Sequence, residues 1–260
     1  MTLLALIMVY KYVPNKKSSN KSKVSTLSLL KNCDYLLALL IFGLVAFVQF
    51  GFRMVMALWI KLSPNSQGLG WTSEADVGYV NSMGGVILIF FPLFGTPYLT
   101  KAFGIRQTCM IVILLMVPIT LIMPQLWVTH GVLLWTLLAF QIGCFISFTT
   151  VFTSVISIAI TNSVSSDLVG RAMGLCQSFV ALFRALANFV IGYLFGISIS
   201  WDLAYPLDTH FLFYLCGGIL GIAYCMTKYG FDKGIEQRKI ETTGKLQKSL
   251  LDKQNNLSQR

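Results

Sequence analysis

Residues 35–60 read YLLALLIFGLVAFVQFGFRMVMALWI and contain one charged residue, Arg53. An α-helix needs about 20 apolar residues to cross the hydrocarbon core of a bilayer. No water is available there to bind backbone N–H and C=O groups, so the segment must satisfy them internally as a helix. This stretch therefore predicts a transmembrane helix and, with it, an integral membrane protein.

Five further segments share this apolar character. Across the chain, apolar residues make up 55% and charged residues 12%, against roughly a quarter charged in soluble domains. We therefore predict an all-α membrane protein, a six-transmembrane-helix bundle over residues 35–228, between a basic segment 1–34 and a basic tail 229–260. The five other predicted spans are 78–99, 107–124, 131–160, 170–200 and 210–228.

Lysine and arginine are distributed unequally between the two faces of this predicted bundle. Of the 20 such residues, Arg53 and Arg184 lie within spans and Lys61 lies alone on one face, which leaves 17 on the other. Cytosolic loops are enriched in Lys and Arg, so both termini are expected in the cytosol, as six spans require.

The net charge of +10 is therefore a topology signal. It does not indicate nucleic acid binding, and the partners that it favours are membrane lipids with anionic headgroups. The pattern does not distinguish the plasma membrane from a vacuolar or lysosomal-type membrane.

Polar residues divide the six spans into two kinds. Gln49 and Arg53 lie one turn apart in the first span, and Gln177, Arg184 and Asn188 share one face of the fifth. The third and sixth spans are almost wholly apolar and are expected to face lipid. The predicted substrate or ion pathway comprises Arg184, Gln177, Asn188, Gln49, Arg53, Asn81, Gln141 and Ser154.

Arg184 is the most costly of these residues because it lies near the middle of its span. A central arginine costs from about 3 to more than 10 kcal/mol, depending on the reference state. No Asp or Glu lies within the predicted spans, so its partner must be a ligand, a carbonyl or another part of the protein. Arg53 is nearer a span end, where a pathway role and snorkelling to the interface both remain open.

A series of hydroxyl residues follows one face of the fourth span. For these residues hydrogen bonding between packed helices and contact with a substrate both remain open. The series consists of Ser147, Thr150, Ser154, Ser157 and Thr161.

Small and special residues add predictions about packing. The pairs Gly192/Gly196 and Gly217/Gly221 have the small-xxx-small spacing that lets helices approach closely. Ser73 lies three residues before Asp76, an N-cap arrangement that is expected to start the second span. We expect the six cysteines to be small core residues, and we expect three prolines, Pro92, Pro97 and Pro118, to kink or end their helices.

Two stretches resemble a transporter family. Residues 160–186, ITNSVSSDLVGRAMGLCQSFVALFRAL, resemble "N-S-x-P…R-G-x-x-N-G" followed by "S-x-x-R/K-A-[IL]-G-P". Residues 97–106, PYLTKAFGIR, resemble a degenerate copy of the loop G-x-x-x-D-R-x-G-R-R. In this order and spacing the chain resembles the C-terminal six-helix half of a major facilitator superfamily transporter, in the branch of drug:proton antiporters that includes tetracycline-resistance-like and zinc-induced-facilitator-like proteins.

The resemblance implies half of a major-facilitator fold, in which residues 1–10 are the stub of a preceding helix. It implies a secondary active transporter of a small organic solute, coupled to protons, whose polar spans line a central cavity. The partner would be a separate N-terminal half or a second copy, because alternating access needs two halves. The loop residues assigned to the cytosolic gate are Lys101, Gly104, Arg106 and Arg171.

The sequence bears on three other classes of protein. A non-transporting membrane protein, as a truncated or regulatory fragment, is the main alternative. An ion channel is disfavoured because the sequence has neither a filter-like loop nor an acidic ring. An enzyme, a metal site or a cofactor is not expected, because His130 and His210 are isolated at span ends.

Overall fold

The computed structural model describes residues 33–64, 68–71, 73–83, 85–164, 168–200 and 210–231. Every regular element within these residues is helical, which confirms the all-α fold class. A short 3-10 helix, Met123–Val128, precedes α4. The α-helices are α1 (Cys33–Lys61), α2 (Glu74–Met83), α3 (Gly85–Ile122), α4 (Gly131–Asn162), α5 (Val169–Ser200) and α6 (Phe211–Gly230).

Five helical stretches in the described part of the chain are long and apolar enough to cross a membrane. They are α1, Phe91–Val128, α4, α5 and α6. The protein is therefore an integral, multi-pass membrane protein. The ends of α1, α4, α5 and α6 lie within one or two residues of the predicted first, fourth, fifth and sixth spans.

Helix α3 covers residues 85–99 of the second predicted span and 107–122 of the third, and it is interrupted at Gly104. Gly104 has φ 79° and ψ 175°, a left-handed backbone that favours glycine. The Thr108 hydroxyl donates to the carbonyls of Leu99 at 3.0 Å and Gly104 at 2.6 Å. Residues nine apart in a straight helix are separated by about 13 Å. The chain therefore reverses at Gly104, and α3 consists of two arms, 85–103 and 105–122.

The prolines of α3 do not break it in the way that the sequence suggested. The backbone is helical through Pro92, Pro97 and Pro118, and non-helical torsion angles within α3 occur at Gly104. The Thr100 hydroxyl donates to the carbonyl of Thr96 at 2.8 Å, which satisfies a polar group inside this apolar segment.

Ser73 caps α2 as predicted. Its hydroxyl oxygen accepts a hydrogen bond from the backbone N–H of Ala75 at 3.2 Å, and the helix begins at Glu74. Helical structure therefore starts before residue 78, where the second span was predicted to begin.

Helices α1 and α5 run parallel. The Tyr35 hydroxyl donates to the Ala172 carbonyl at 2.9 Å, and a Cβ placed on Gly51 would lie 3.0 Å from Ile191 Cγ1. Residue numbers rise together along the two helices, as they must for the first and fifth passes of a bundle whose passes alternate in direction.

Helix α4 runs antiparallel to α1, and aromatic rings join the two. The Phe52 and Phe145 ring centroids are 4.2 Å apart, and those of Phe42 and Phe152 are 6.4 Å apart. Phe213 of α6 adds a ring 5.9 Å from Phe52. Such pairs contribute about 0.5–1.5 kcal/mol each beyond area burial, so this cluster stabilises the centre of the bundle.

The two ends of the bundle differ in character. At one end, the Gly104 turn brings Arg106 to the last turn of α6, where its guanidinium donates to the carbonyl of Lys228. Leu37 of α1 meets Gly230 at this same end, which we call the basic end. At the opposite end the indoles of Trp71 and Trp135 stack with centroids 4.4 Å apart.

Only one glycine of each small-xxx-small pair lies at a helix contact. A Cβ on Gly192 would lie 2.9 Å from Met54 Cε, and one on Gly217 would lie 2.9 Å from Leu121 Cδ2. Gly196 and Gly221 have open space beside them within the described residues. The predicted close approach is therefore confirmed at the first position of each pair and not at the second.

The cysteines divide between core and surface. Cys109, Cys176 and Cys216 are buried, as predicted. Cys33 and Cys225 are exposed, so the prediction of a core position is wrong for them. Cys33 is the first residue of α1 and Cys225 lies near the end of α6, and the described residues leave both exposed.

Candidate functional site

Arg184 lies at the midpoint of the 32-residue helix α5 and is half-buried between α5 and α1. Its guanidinium carbon lies 5.0 Å from the ring centroid of Phe50. Its Nε is shielded from solvent and has no hydrogen-bond partner in the described part of the chain. A cation–π contact supplies about 0.5–2 kcal/mol, less than a central arginine costs in a membrane. The site therefore holds a buried donor that the described residues leave unsatisfied.

Arg53 lies three residues after Phe50 on α1, so the two residues occupy the same side of that helix. The Arg53 side chain is exposed. It lies eight residues before Lys61, or about 12 Å from the end of α1. Arg184 contacts Phe50, and Arg53 lies one turn beyond Phe50 on the same side of α1; we refer to these three residues as the arginine–phenylalanine cluster.

Gln177 precedes Arg184 by seven residues and Asn188 follows it by four, spacings that keep all three on one side of α5, as predicted. Both amide side chains are exposed. Of the predicted spans, α5 is the least covered, with 22% of its most apolar stretch buried against 61% for α1. The side of α5 that carries these amides is therefore available for contact with something outside the described bundle.

Gln49, the residue before Phe50, joins α1 to α4. Its side-chain nitrogen donates to the Thr149 hydroxyl at 3.4 Å, and the Gln49 side chain is half-buried. Thr149 in turn donates to the Ile146 carbonyl at 2.8 Å. Gln49 therefore lies beside the arginine–phenylalanine cluster, with its amide held toward α4.

Gln141 lies elsewhere. It is buried between α4 and the second arm of α3, where its side-chain nitrogen donates to the Ile119 carbonyl at 2.6 Å. Arg184 contacts α1 instead. The structure thus places Gln141 in a contact between helices, and not beside Arg184.

The hydroxyls of α4 bond mostly within their own helix. Ser154 donates to the Thr150 carbonyl at 3.0 Å, and Ser157 donates to the Thr153 carbonyl at 2.7 Å. Thr150 and Thr161 likewise bond to carbonyls of the preceding turn. These four hydroxyls therefore bond to the preceding turn of their own helix, because a Ser or Thr side chain in a helix reaches that carbonyl. The buried Ser147 hydroxyl has no hydrogen-bond partner among the described residues.

Asn81 lies within α2, and its side chain is outside the described atoms. Its predicted place in the pathway therefore stays a prediction.

The residues assigned to a gate lie at or near the basic end. Lys101 is exposed three residues before the Gly104 turn, and Arg106 binds the Lys228 carbonyl just after it. Arg171 is exposed in the first turn of α5. The adjacent Ala172 carbonyl accepts the Tyr35 hydroxyl. The first arm of α3, the start of α5 and the end of α6 thus place positive charge near one membrane face.

Phe50 is the site residue that the sequence did not reveal. A phenylalanine in an apolar span is ordinary, and only the approach of Arg184 from another helix distinguishes it. A helical projection would have shown Phe50 and Arg53 on one side of α1. Within the described residues, no three side chains of His, Cys, Asp or Glu are grouped as metal ligands would be.

A scan of protein-family models found no match to this chain. A search of curated proteins likewise found no similar sequence.

Proposed function

We propose that this chain forms one six-helix half of a secondary transporter for a small organic solute, related to the major facilitator superfamily and coupled to protons. The observation that carries the proposal is Arg184, a mid-membrane arginine with a buried Nε that the described residues leave unbonded. Ionisable residues at this depth mark substrate and ion pathways because they are tolerated only where they are hydrated or paired. The motif resemblance supplies the transporter class.

A second half is part of the proposal. Helix α5 carries Gln177, Arg184 and Asn188 on a side that the described bundle leaves mostly uncovered. A central pathway would be closed by a second six-helix unit, either a separate chain or another copy of this one.

Transport is tested with the full chain in sealed proteoliposomes that contain a pH-sensitive dye. Adding a transported solute outside should change the internal pH, and Arg184→Ala should abolish the change while the protein still inserts. Lys61→Gln, which removes an exposed positive charge at the end of α1, is the matched control and should transport normally.

Two outcomes oppose the proposal. One is a pH response that Arg184→Ala leaves intact. The other is the absence of any solute-dependent response from the chain, whether it is reconstituted as a monomer, as a dimer or together with a six-helix partner. The second outcome would favour the non-transporting alternative.

A further inference from the structure

The charge of the arginine–phenylalanine cluster has one sign. Arg53 and Arg184 both contribute cations, whereas the acidic residues among the described helices lie at helix starts: Asp34 in the first turn of α1, and Glu74 and Asp76 in α2. Asp34 precedes Arg53 by 19 residues, or about 28 Å along α1. A carboxylate within the described spans therefore does not neutralise this cluster.

The Nε donor of Arg184 has no hydrogen-bond partner among the described residues. A guanidinium carries five N–H donors in a planar fork that matches the two oxygens of a carboxylate, sulfonate or phosphate. Phe50 lies against the guanidinium at 5.0 Å. A ring contact does not use the N–H donors at the edge of the group, and Nε among them is buried without a partner in the described chain.

The residues around Arg184 include an aromatic ring that can contact the apolar part of a ligand. Phe50 is half-buried and so has ring surface left uncovered. Gln177 and Asn188 add exposed amide groups along α5. The site therefore combines two cations, neutral hydrogen-bonding groups and an aromatic surface.

We infer that the solute of this transporter half is a small organic anion, whose charged group binds Arg184 and Arg53 and whose apolar body lies against Phe50. A cationic solute would be repelled by both arginines, and a neutral one would leave the fork without a charged acceptor. That this site binds a transported substrate rests on the proposed transport function. The binding of an anion is tested separately, without transport.

The test uses the purified full chain in phosphatidylcholine nanodiscs. Three probes share one ring system and differ in charge: 1-naphthoate, 1-naphthylmethanol and 1-naphthylmethylammonium. We expect saturable binding of 1-naphthoate that is at least about tenfold tighter than binding of the other two, since a charge-assisted hydrogen bond is worth about one power of ten in affinity or more. Equal binding of all three probes, or preference for the ammonium, overturns the inference.

Variants separate recognition from folding. Arg184→Gln should weaken 1-naphthoate binding at least about tenfold with an unchanged melting profile, and Arg184→Lys should lie between Gln and the parent because it keeps charge without the fork. Arg53→Gln should weaken binding less, and Lys61→Gln should leave it unchanged. If Arg184→Gln fails to fold, the 1-naphthoate affinities of Arg184→Lys and Arg53→Gln test the inference instead. Parent-like affinity in both overturns the inference.

An anionic lipid headgroup offers the same chemistry as a soluble anion. Repeating the titration in phosphatidylglycerol nanodiscs distinguishes the sources. If 1-naphthoate binds as tightly as in phosphatidylcholine, the ligand is a soluble anion. If the Arg184-dependent binding of 1-naphthoate is lost, a lipid headgroup occupies the site and the inference is overturned. Binding of 1-naphthoate without any transport defeats the proposed function and leaves the site intact. Transport of 1-naphthylmethylammonium that survives Arg184→Gln defeats the site and leaves the function.

Discussion

The hydroxyl of Tyr35 donates to the carbonyl of Ala172 at 2.9 Å, with both residues fully buried, and so joins the first turns of α1 and α5. Tyr35→Phe removes the bond while keeping the ring. Because a net hydrogen bond is worth about 0.5–1.5 kcal/mol, we expect a small, measurable fall in unfolding free energy, followed by titration with a denaturing detergent. Tyr193→Phe, at an exposed position on α5, is the control. Equal losses in the two variants would mean that the bond contributes nothing.

Gly43 allows α1 and α5 to approach closely. A Cβ there would lie 3.1 Å from the Phe179 ring and 3.2 Å from the Phe183 ring, and these rings also pack on each other at 4.8 Å. Gly43→Leu should lower the melting temperature and the yield of folded protein, because overpacking costs about 1–3 kcal/mol. Gly221→Leu, which enters open space, should melt at the parent temperature or slightly above. Parent-like melting of the Gly43 variant would contradict the close approach.

Gln141 and Arg184 should behave oppositely. Gln141 is bonded to the Ile119 carbonyl across the α3–α4 contact, so Gln141→Leu should reduce stability by about 0.6 kcal/mol, the average for polar contacts between membrane helices. It should leave 1-naphthoate affinity unchanged. Arg184→Gln should weaken 1-naphthoate binding and leave stability unchanged. The measurements are a melting curve and a binding titration on each variant. Loss of 1-naphthoate affinity in Gln141→Leu would place that residue in the pathway after all.

Topology can be tested at two described positions. In a background without other cysteines, Cys33 lies at the basic end of α1, and Val132→Cys lies at the opposite end of the bundle, where Val132 is 85% exposed. The distribution of Lys and Arg predicts that the basic end faces the cytosol. An impermeant maleimide added outside cells should therefore label the cysteine at 132, and should reach Cys33 only after the membrane is opened. Labelling of Cys33 in intact cells would reverse the orientation.

The helices were predictable because the bilayer sets their length and forces their backbone bonds to close internally. The tight turn at Gly104 was harder to predict, since only the Thr108 contact with Leu99 reveals how short it is. The glycine contacts were predictable in part. Spacing identified Gly192 and missed Gly43, because a motif does not show which side of a helix meets its neighbour.

The candidate site was predictable to a similar degree. The cost of a charge near the middle of a predicted span singled out Arg184, and helical periodicity correctly placed it on one side of α5 with Gln177 and Asn188. Periodicity does not report which helices are neighbours, so Gln141 was grouped with Arg184 although it binds the second arm of α3. Phe50 has no polar atom and could be found only from the contact itself.

The reversal at Gly104 also bears on how the chain enters the membrane during synthesis. With its Thr108 hydroxyl bonded to Leu99 and Gly104, the turn leaves little free chain between the two arms of α3. We therefore expect the two arms to enter the bilayer together, as one helical hairpin. The exposed Lys101, three residues before the turn, favours a place for the bend near the headgroups, where a lysine can reach water.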